Sequence, residues 1–249
     1  MDIKVKDEFT KWAKGFSGCD GGNIDGPIWI CGIEYGGNEE LTFSDVSQPK
    51  YYSSDDDREK LIHGTQRYNV KALKLYSAIL GHDVSSYRNV ALENKFLDKD
   101  SDLFKLNLYP IPFKKDKDDL WTREKYDQTG LPTKSIYRAW CQLYLFDEIR
   151  KWAKKHSPKL IIATGISYYN EFIMAFGGID TVHNAEIKKE KILDRELLWL
   201  KINDDRTILA ITPFLGGRYG LNSDELLEQF GKDISNICMK MLGVNWISV

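Results

Sequence analysis

The chain has 249 residues, 42% of them hydrophobic, and its 35 basic and 37 acidic side chains leave a formal charge of −2. That length can bury one full core, so a single domain spanning residues 1–249 is expected, and the near-neutral balance excludes a chain-wide polycationic nucleic-acid binder while permitting a local basic cleft. Cys19, Cys31, Cys141 and Cys238 form no CxxC or Cys/His cluster, so free thiols are expected, with no metal and no cofactor. No stretch approaches the roughly 20 apolar residues of a membrane span, and the first residues lack an apolar signal core. A cytoplasmic monomer with no membrane partner is the expectation.

Along the chain, Val5, Phe9, Trp12, Ala13 and Phe16 recur at helical spacing. A glycine-rich stretch, 15–26, then leads into a first strand at 28–33. Residues 38–58 read as a long polar loop, and Val70, Leu73, Leu75, Tyr76, Ile79 and Leu80 as the apolar face of a helix. A second strand at 103–108 precedes a charged excursion, 114–134, and an aromatic-rich helix over 135–156. A third strand at 159–164, a turn and helix over 165–176, and a hairpin over 185–202 with its turn at 194–196 follow. A strand at 207–211 leads to a last helix, which opens on the capping-box-like Asn222-Ser-Asp-Glu225. Alternating strands and helices predict an α/β fold: a three-layer αβα sandwich around a central, mainly parallel four-stranded sheet.

Three of the strands end in polar or glycine-rich residues, and ligands of open α/β sheets bind outside the carboxyl ends of strands. Glu34 stands where the first strand runs into Tyr35-Gly36-Gly37; its carboxylate is either chemically active or satisfied by nearby backbone amides. Asn107 interrupts the apolar run Leu106-Asn-Leu-Tyr-Pro-Ile-Pro112, and a buried carboxamide needs partners, which a ligand's polar edge or local backbone can supply. Thr212-Pro-Phe-Leu-Gly-Gly-Arg-Tyr-Gly220 ends a strand in a projecting loop.

In this order the three segments resemble the uracil-DNA glycosylase superfamily. Gly32-Ile-Glu-Tyr-Gly-Gly37 looks like its first-strand motif, which carries the catalytic polar residue. Leu106-Asn-Leu-Tyr109 looks like the strand with its base-reading Asn, and Thr212-Pro-Phe-Leu-Gly-Gly-Arg218 like its closing loop. The strand and helix at Leu160-Ile-Ile-Ala-Thr-Gly-Ile-Ser-Tyr-Tyr169 are also similar, so the resemblance covers roughly residues 28–243. It implies a DNA glycosylase acting on a nucleotide rotated out of DNA. Glu34 and Thr212 would be catalytic, Asn107, Tyr35, Gly36 and Phe113 would bind the base, and His63, Arg67, Lys114, Ser167, Gly217, Arg218 and Tyr219 would bind DNA. Glu34 replaces the family's Asp or Asn, Tyr35 its Pro and Thr212 its His, while Gly36 lacks the tyrosine that excludes bulky pyrimidines. The departures point from uracil towards a modified pyrimidine, excised in repair or in defence against modified phage DNA. The alternatives are an inactive DNA- or nucleotide-binding module of the same fold and a hydrolase of free nucleosides or nucleotides.

Overall fold

The computed structural model describes residues 4–37, 41–44, 46–63, 67–113 and 120–247. The strands are β1 (Cys19–Gly22), β2 (Ile28–Glu34), β3 (Leu103–Tyr109), β4 (Leu160–Thr164), β5 (Lys188–Ile192), β6 (Arg195–Ile202) and β7 (Thr207–Thr212). They form one mixed sheet in the order β1-β3-β2-β4-β7-β6-β5. The four central strands, β3, β2, β4 and β7, are mutually parallel, and their near-continuous burial is that of strands covered on both faces. Among the described residues the sheet nevertheless has seven strands, where four were expected. The hairpin of β5 and β6 extends it antiparallel from β7, and β1 adds antiparallel to β3 at the opposite edge.

The helices are α1 (Asp7–Ala13), α2 (Asp55–His63), α3 (Arg67–Ile79), α4 (Tyr87–Glu93), α5 (Arg123–Thr129), α6 (Lys134–Trp140), α7 (Phe146–His156), α8 (Tyr169–Phe176), α9 (Ile179–Asn184) and α10 (Asp224–Leu242). The period of two along each strand divides the core. Trp29, Cys31, Phe104, Leu106, Ile161, Ala163, Leu209 and Ile211 pack with apolar residues of α1, α6, α7 and α8. Ile28, Ile30, Leu160, Ile162, Ile208 and Ala210 pack with those of α2, α3, α4 and α10. Helices therefore cover both faces of the sheet.

Several boundaries differ from the sequence reading. The loop expected over 38–58 ends early, because the Ser54 hydroxyl accepts from the Asp57 amide at 3.1 Å and the acidic first turn Asp55–Asp57 favours a helix N-terminus. Short helices α4, α5 and α9 fill other polar stretches. The hairpin turn is Leu193–Asp194, one residue earlier than expected, since Ile192 pairs with Arg195 and Leu193 takes a left-handed φ of 53°. The aromatic-rich helix starts at Lys134 and continues through a π-helical turn, Cys141–Leu145, into α7. Ser223 caps α10 by accepting from Leu226 N at 3.2 Å.

Strand register places the chemistry. Gly32 is opposite Asn107, Glu34 opposite Tyr109, and Thr164 opposite Thr212, so the carboxyl ends of β2, β3, β4 and β7 share one edge. Glu34, Asn107 and Thr212 are brought to that edge from positions far apart in the chain.

Candidate functional site

Glu34 closes β2 with a side chain only 10% exposed, and its carboxylate faces two cations that the sequence reading did not anticipate. Lys134 Nζ lies 3.3 Å from its Oε1 and Arg138 Nη2 lies 3.3 Å from its Oε2. Both cations come from α6, whose cap, Thr133, accepts from Ile136 N at 3.1 Å; their spacing of four puts them on one helix face. Lys134 is 1% exposed, and its ammonium also sits 3.8 Å from the centroid of the Phe113 ring. Arg138 lies 5.0 Å and 5.6 Å from the ring centroids of Tyr109 and Tyr168. A buried carboxylate thus meets two cations, an arrangement that spares either charge from standing alone in the interior.

Phe113 is itself buried, stacked with Trp121 at 6.1 Å and covered by Lys134, so its ring belongs to the packed wall behind Glu34. Its amide donates to Tyr35 O at 3.0 Å, tying the exit of β3 to that of β2. Gly36 is exposed, and a Cβ built there meets nothing within 4 Å, so this side of the strand end is open.

A second polar group lies beside the first. Asn107 Nδ2 is 3.3 Å from Asp20 Oδ2 and 3.5 Å from Gly18 O. Asp20 Oδ2 also accepts from Lys105 Nζ at 2.8 Å, and Lys105 donates to Asn69 Oδ1 at 2.9 Å while lying 5.2 Å from the Tyr68 ring centroid. Tyr68, from the start of α3, places its hydroxyl 2.7 Å from Thr164 Oγ1, and Thr164 donates to Cys31 O at 3.3 Å. Burial drives the Tyr35 hydroxyl far above the ordinary tyrosine range, reinforced by the charge of Asp20 and opposed by a hydrogen bond from Asn107. Tyr68 is raised for the same first reason, against its bond to Thr164. Gly32 makes the cluster possible, since a Cβ there would stand 2.4 Å from Asn107 Oδ1.

Thr212 is fully buried, its hydroxyl directed at Pro213 O (3.0 Å) and Ala163 O (3.4 Å). Beyond it the chain turns outward. Phe214 is 49% and Tyr219 76% exposed, with Arg218 5.5 Å from the Tyr219 ring. This loop is held from within: Leu221 N donates to Phe214 O, Asn222 Nδ2 reaches Gly217 O and Arg218 O, and Arg195 Nη2 donates to Arg218 O at 3.1 Å. Gly220 is obligatory, because a Cβ would lie 1.9 Å from Gly216 O. The Phe214 ring is 5.7 Å from that of Tyr68, so the loop borders the polar cluster.

Of the other expected DNA contacts, Ser167 is exposed just after β4, Arg67 is exposed at the first turn of α3, and His63 is exposed at the end of α2. Lys114 lies outside the described residues. Two surface hollows, of about 530 and 430 Å³, run along α1 and include none of these side chains. The site is therefore defined by converging side chains at the strand ends.

Sequence reasoning missed Lys134, Arg138, Asp20 and Lys105. The first pair had a signal, two cations four residues apart at a helix start, but Lys134 fell in the charged excursion and outside the expected helix. Lys105 had one too: a lysine inside an apolar strand, on the same face as Asn107. Among the described residues no group of histidine, cysteine or acidic side chains suits a metal ion, and the four cysteines are free thiols. No helix among these residues is long and apolar enough to cross a membrane. Compared with known proteins, the chain matches no family model and no curated sequence.

Proposed function

We propose that this chain is a monofunctional DNA glycosylase that hydrolyses the N-glycosidic bond of a modified pyrimidine nucleotide rotated out of DNA, leaving an abasic site. The observation that carries the reading is the convergence, at one edge of the parallel sheet, of Glu34, Asn107 and the protruding loop that follows Thr212. The central parallel strands β3, β2, β4 and β7 agree with the sheet that the resemblance to the uracil-DNA glycosylase superfamily implies.

The chemistry follows from these groups. A base cannot be attacked inside the stack, so it is turned out into the strand-end site, and Arg218 and Tyr219, on a loop braced by its own hydrogen bonds, are shaped to fill the gap. Cleavage of the C1′–N bond leaves positive charge on the sugar. The ion-paired carboxylate of Glu34 is the ionised form that can stabilise that charge and orient the attacking water. The bonding electrons leave with the base, the water's oxygen bonds to C1′, and its proton passes by way of Glu34 to the departing base, whose developing negative charge Arg138 favours. The open space at Gly36 admits a substituent on the pyrimidine ring.

One observation favours a second reading. Both oxygens of Glu34 are already engaged, so the same fold with a neutralised carboxylate would be a DNA-binding module without catalysis. Labelled DNA carrying uracil, hypoxanthine, 5-hydroxymethylcytosine or its glucosylated form separates the two. Alkali-sensitive strand cleavage by the wild type, lost in Glu34→Gln, is expected for the enzyme. Binding with no cleavage of any substrate would decide for the module.

A further inference from the structure

We infer that Asp20 is the residue that reads the base, and that it selects a pyrimidine bearing an exocyclic amino group, the cytosine class, over the keto pyrimidines uracil and thymine. The inference rests on the nucleotide-flipping reading above and deepens it.

Asp20 owes its position to a defect in the sheet. Cys19 pairs with Leu106 and Gly21 with the adjacent Lys105, so β1 spends three residues against two of β3, and Asp20 is the one left over. Such a bulge turns a side chain away from its regular direction and recurs beside active sites. The next two residues must be glycine: φ is +129° at Gly21 and +95° at Gly22, and a Cβ at either would come within 2.3 Å of a backbone oxygen, Lys50 O or Leu103 O. The sequence Cys19-Asp-Gly-Gly22 is thus built to carry one re-aimed carboxylate to the face of Asn107.

The hydrogen bonds of the carboxylate are asymmetric. Oδ2 accepts from Lys105 Nζ and Asn107 Nδ2, whereas Oδ1 has no hydrogen-bond partner among the described residues, and the side chain is 22% exposed. One carboxylate oxygen is therefore anchored by Lys105 and Asn107, while the other, on a partly exposed side chain, is left to accept a further hydrogen bond. Its neighbour fixes the orientation of Asn107, since an amide oxygen could not be turned towards a carboxylate; Nδ2 faces Asp20, and Oδ1 faces Gly32. Asn107 consequently positions Asp20 and has little left with which to satisfy a keto edge. Cytosine offers an N4 amino donor where uracil offers the O4 acceptor, so an anionic acceptor at that position bonds one and repels the other. Lys105 and Asn69 complete the buried support, and neither faces outward.

The test uses the full chain with duplexes carrying one mismatched cytosine, 5-hydroxymethylcytosine, uracil or thymine at a fixed position. Two readouts are taken: binding by fluorescence anisotropy and base release by alkali-sensitive cleavage. The expected result is a preference for the two cytosine-class sites over uracil and thymine of roughly tenfold or more in binding, lost in Asp20→Asn, which keeps the shape and removes the anion. Wild-type protein that binds uracil or thymine as well as cytosine overturns the inference with no variant needed. So does an Asp20→Asn protein that melts like wild type and keeps the preference. Cytosine-selective binding without release of any base upholds the assignment of Asp20 and refutes the glycosylase reading, while release that is blind to the exocyclic group does the reverse.

Discussion

Replacing Lys134 by methionine tests whether the site is built on the Glu34 ion pairs. At 3.3 Å, and with an effective dielectric constant of about 20, the attraction between Lys134 and Glu34 is roughly 5 kcal/mol before desolvation is subtracted. Breaking a buried pair by removing one partner costs about 3–5 kcal/mol. Arg138 remains at the same distance from the carboxylate, so Lys134→Met is expected at or just below the lower end of that range, about 2–3 kcal/mol. Glu34→Gln should cost more, because it removes the carboxylate that both Lys134, 1% exposed, and Arg138 face. With both changes together Lys134 and Glu34 no longer leave one another without a partner, although Arg138 still loses its carboxylate, so the double variant should be more stable than the sum of the singles by about 2 kcal/mol. Urea unfolding of the four proteins measures this coupling. Additivity within about 0.5 kcal/mol would refute the idea that Lys134 and Glu34 hold one another, and with it the view that α6 fixes the carboxylate proposed to be catalytic.

Three further perturbations address other parts of the molecule. Tyr219→Ala, at a side chain 76% exposed, should leave stability within about 0.5 kcal/mol of wild type yet weaken binding to duplex DNA at least about fivefold, as read by anisotropy; equal loss of stability and binding would mean the loop is merely structural. Gly32→Ala drives a Cβ to 2.4 Å from Asn107 Oδ1 and should lower stability by about 1–3 kcal/mol; Asn107→Ala in the same background should recover most of it in thermal melts. The third concerns pH. Burial raises the Cys31 and Cys141 thiols well above their ordinary range near 9 and pushes Cys238 up to about 12. Their protons are thus retained by the fold and lost by the unfolded chain, which then binds fewer. Stability should be unaffected by these groups below pH 9 and fall as pH rises above it, by up to about 1.4 kcal/mol per unit for each thiol. Ellman's reagent at pH 8 should accordingly react slowly with these three thiols until the protein is unfolded.

The parallel centre of the sheet was legible because its strands are apolar runs of five to seven residues buried on both faces, a pattern set by local composition. Edge strand β1 was not legible: Cys19-Asp-Gly-Gly22 has neither alternation nor β-branched residues, and it pairs only because glycine can take the positive φ of a bulge that tertiary contact imposes. The strand-end logic found Glu34, Asn107 and Thr212, since a polar residue closing an apolar strand is visible in one dimension. It could not find their partners. Lys134 is 100 residues from Glu34, and Asp20 is 87 from Asn107, separations across which spacing carries no information. Thr212 and Phe113 show the converse: their types and places suggested contact with a ligand, but folding gives the Thr212 hydroxyl backbone acceptors and gives the Phe113 ring to Lys134 and Trp121.

The partners also explain why two carboxylates can stand at one strand edge without duplicating each other. Roles diverge when environments do. Glu34 has a cation on each oxygen and sits at the exit of the central strand β2, where charge can be balanced but little is left for selective hydrogen bonding. Asp20 has one oxygen anchored by Lys105 and Asn107 and the other without a hydrogen-bond partner among the described residues, which suits recognition of a donor. Among the described residues, three cations, Lys105, Lys134 and Arg138, face the two carboxylates Asp20 and Glu34, in a chain whose formal charge is −2. On the proposed reading, these cations would attract a polyanion and favour a base departing with its bonding electrons. On the proposed reading, the choice of base would fall to the Asp20 oxygen that has no hydrogen-bond partner among the described residues.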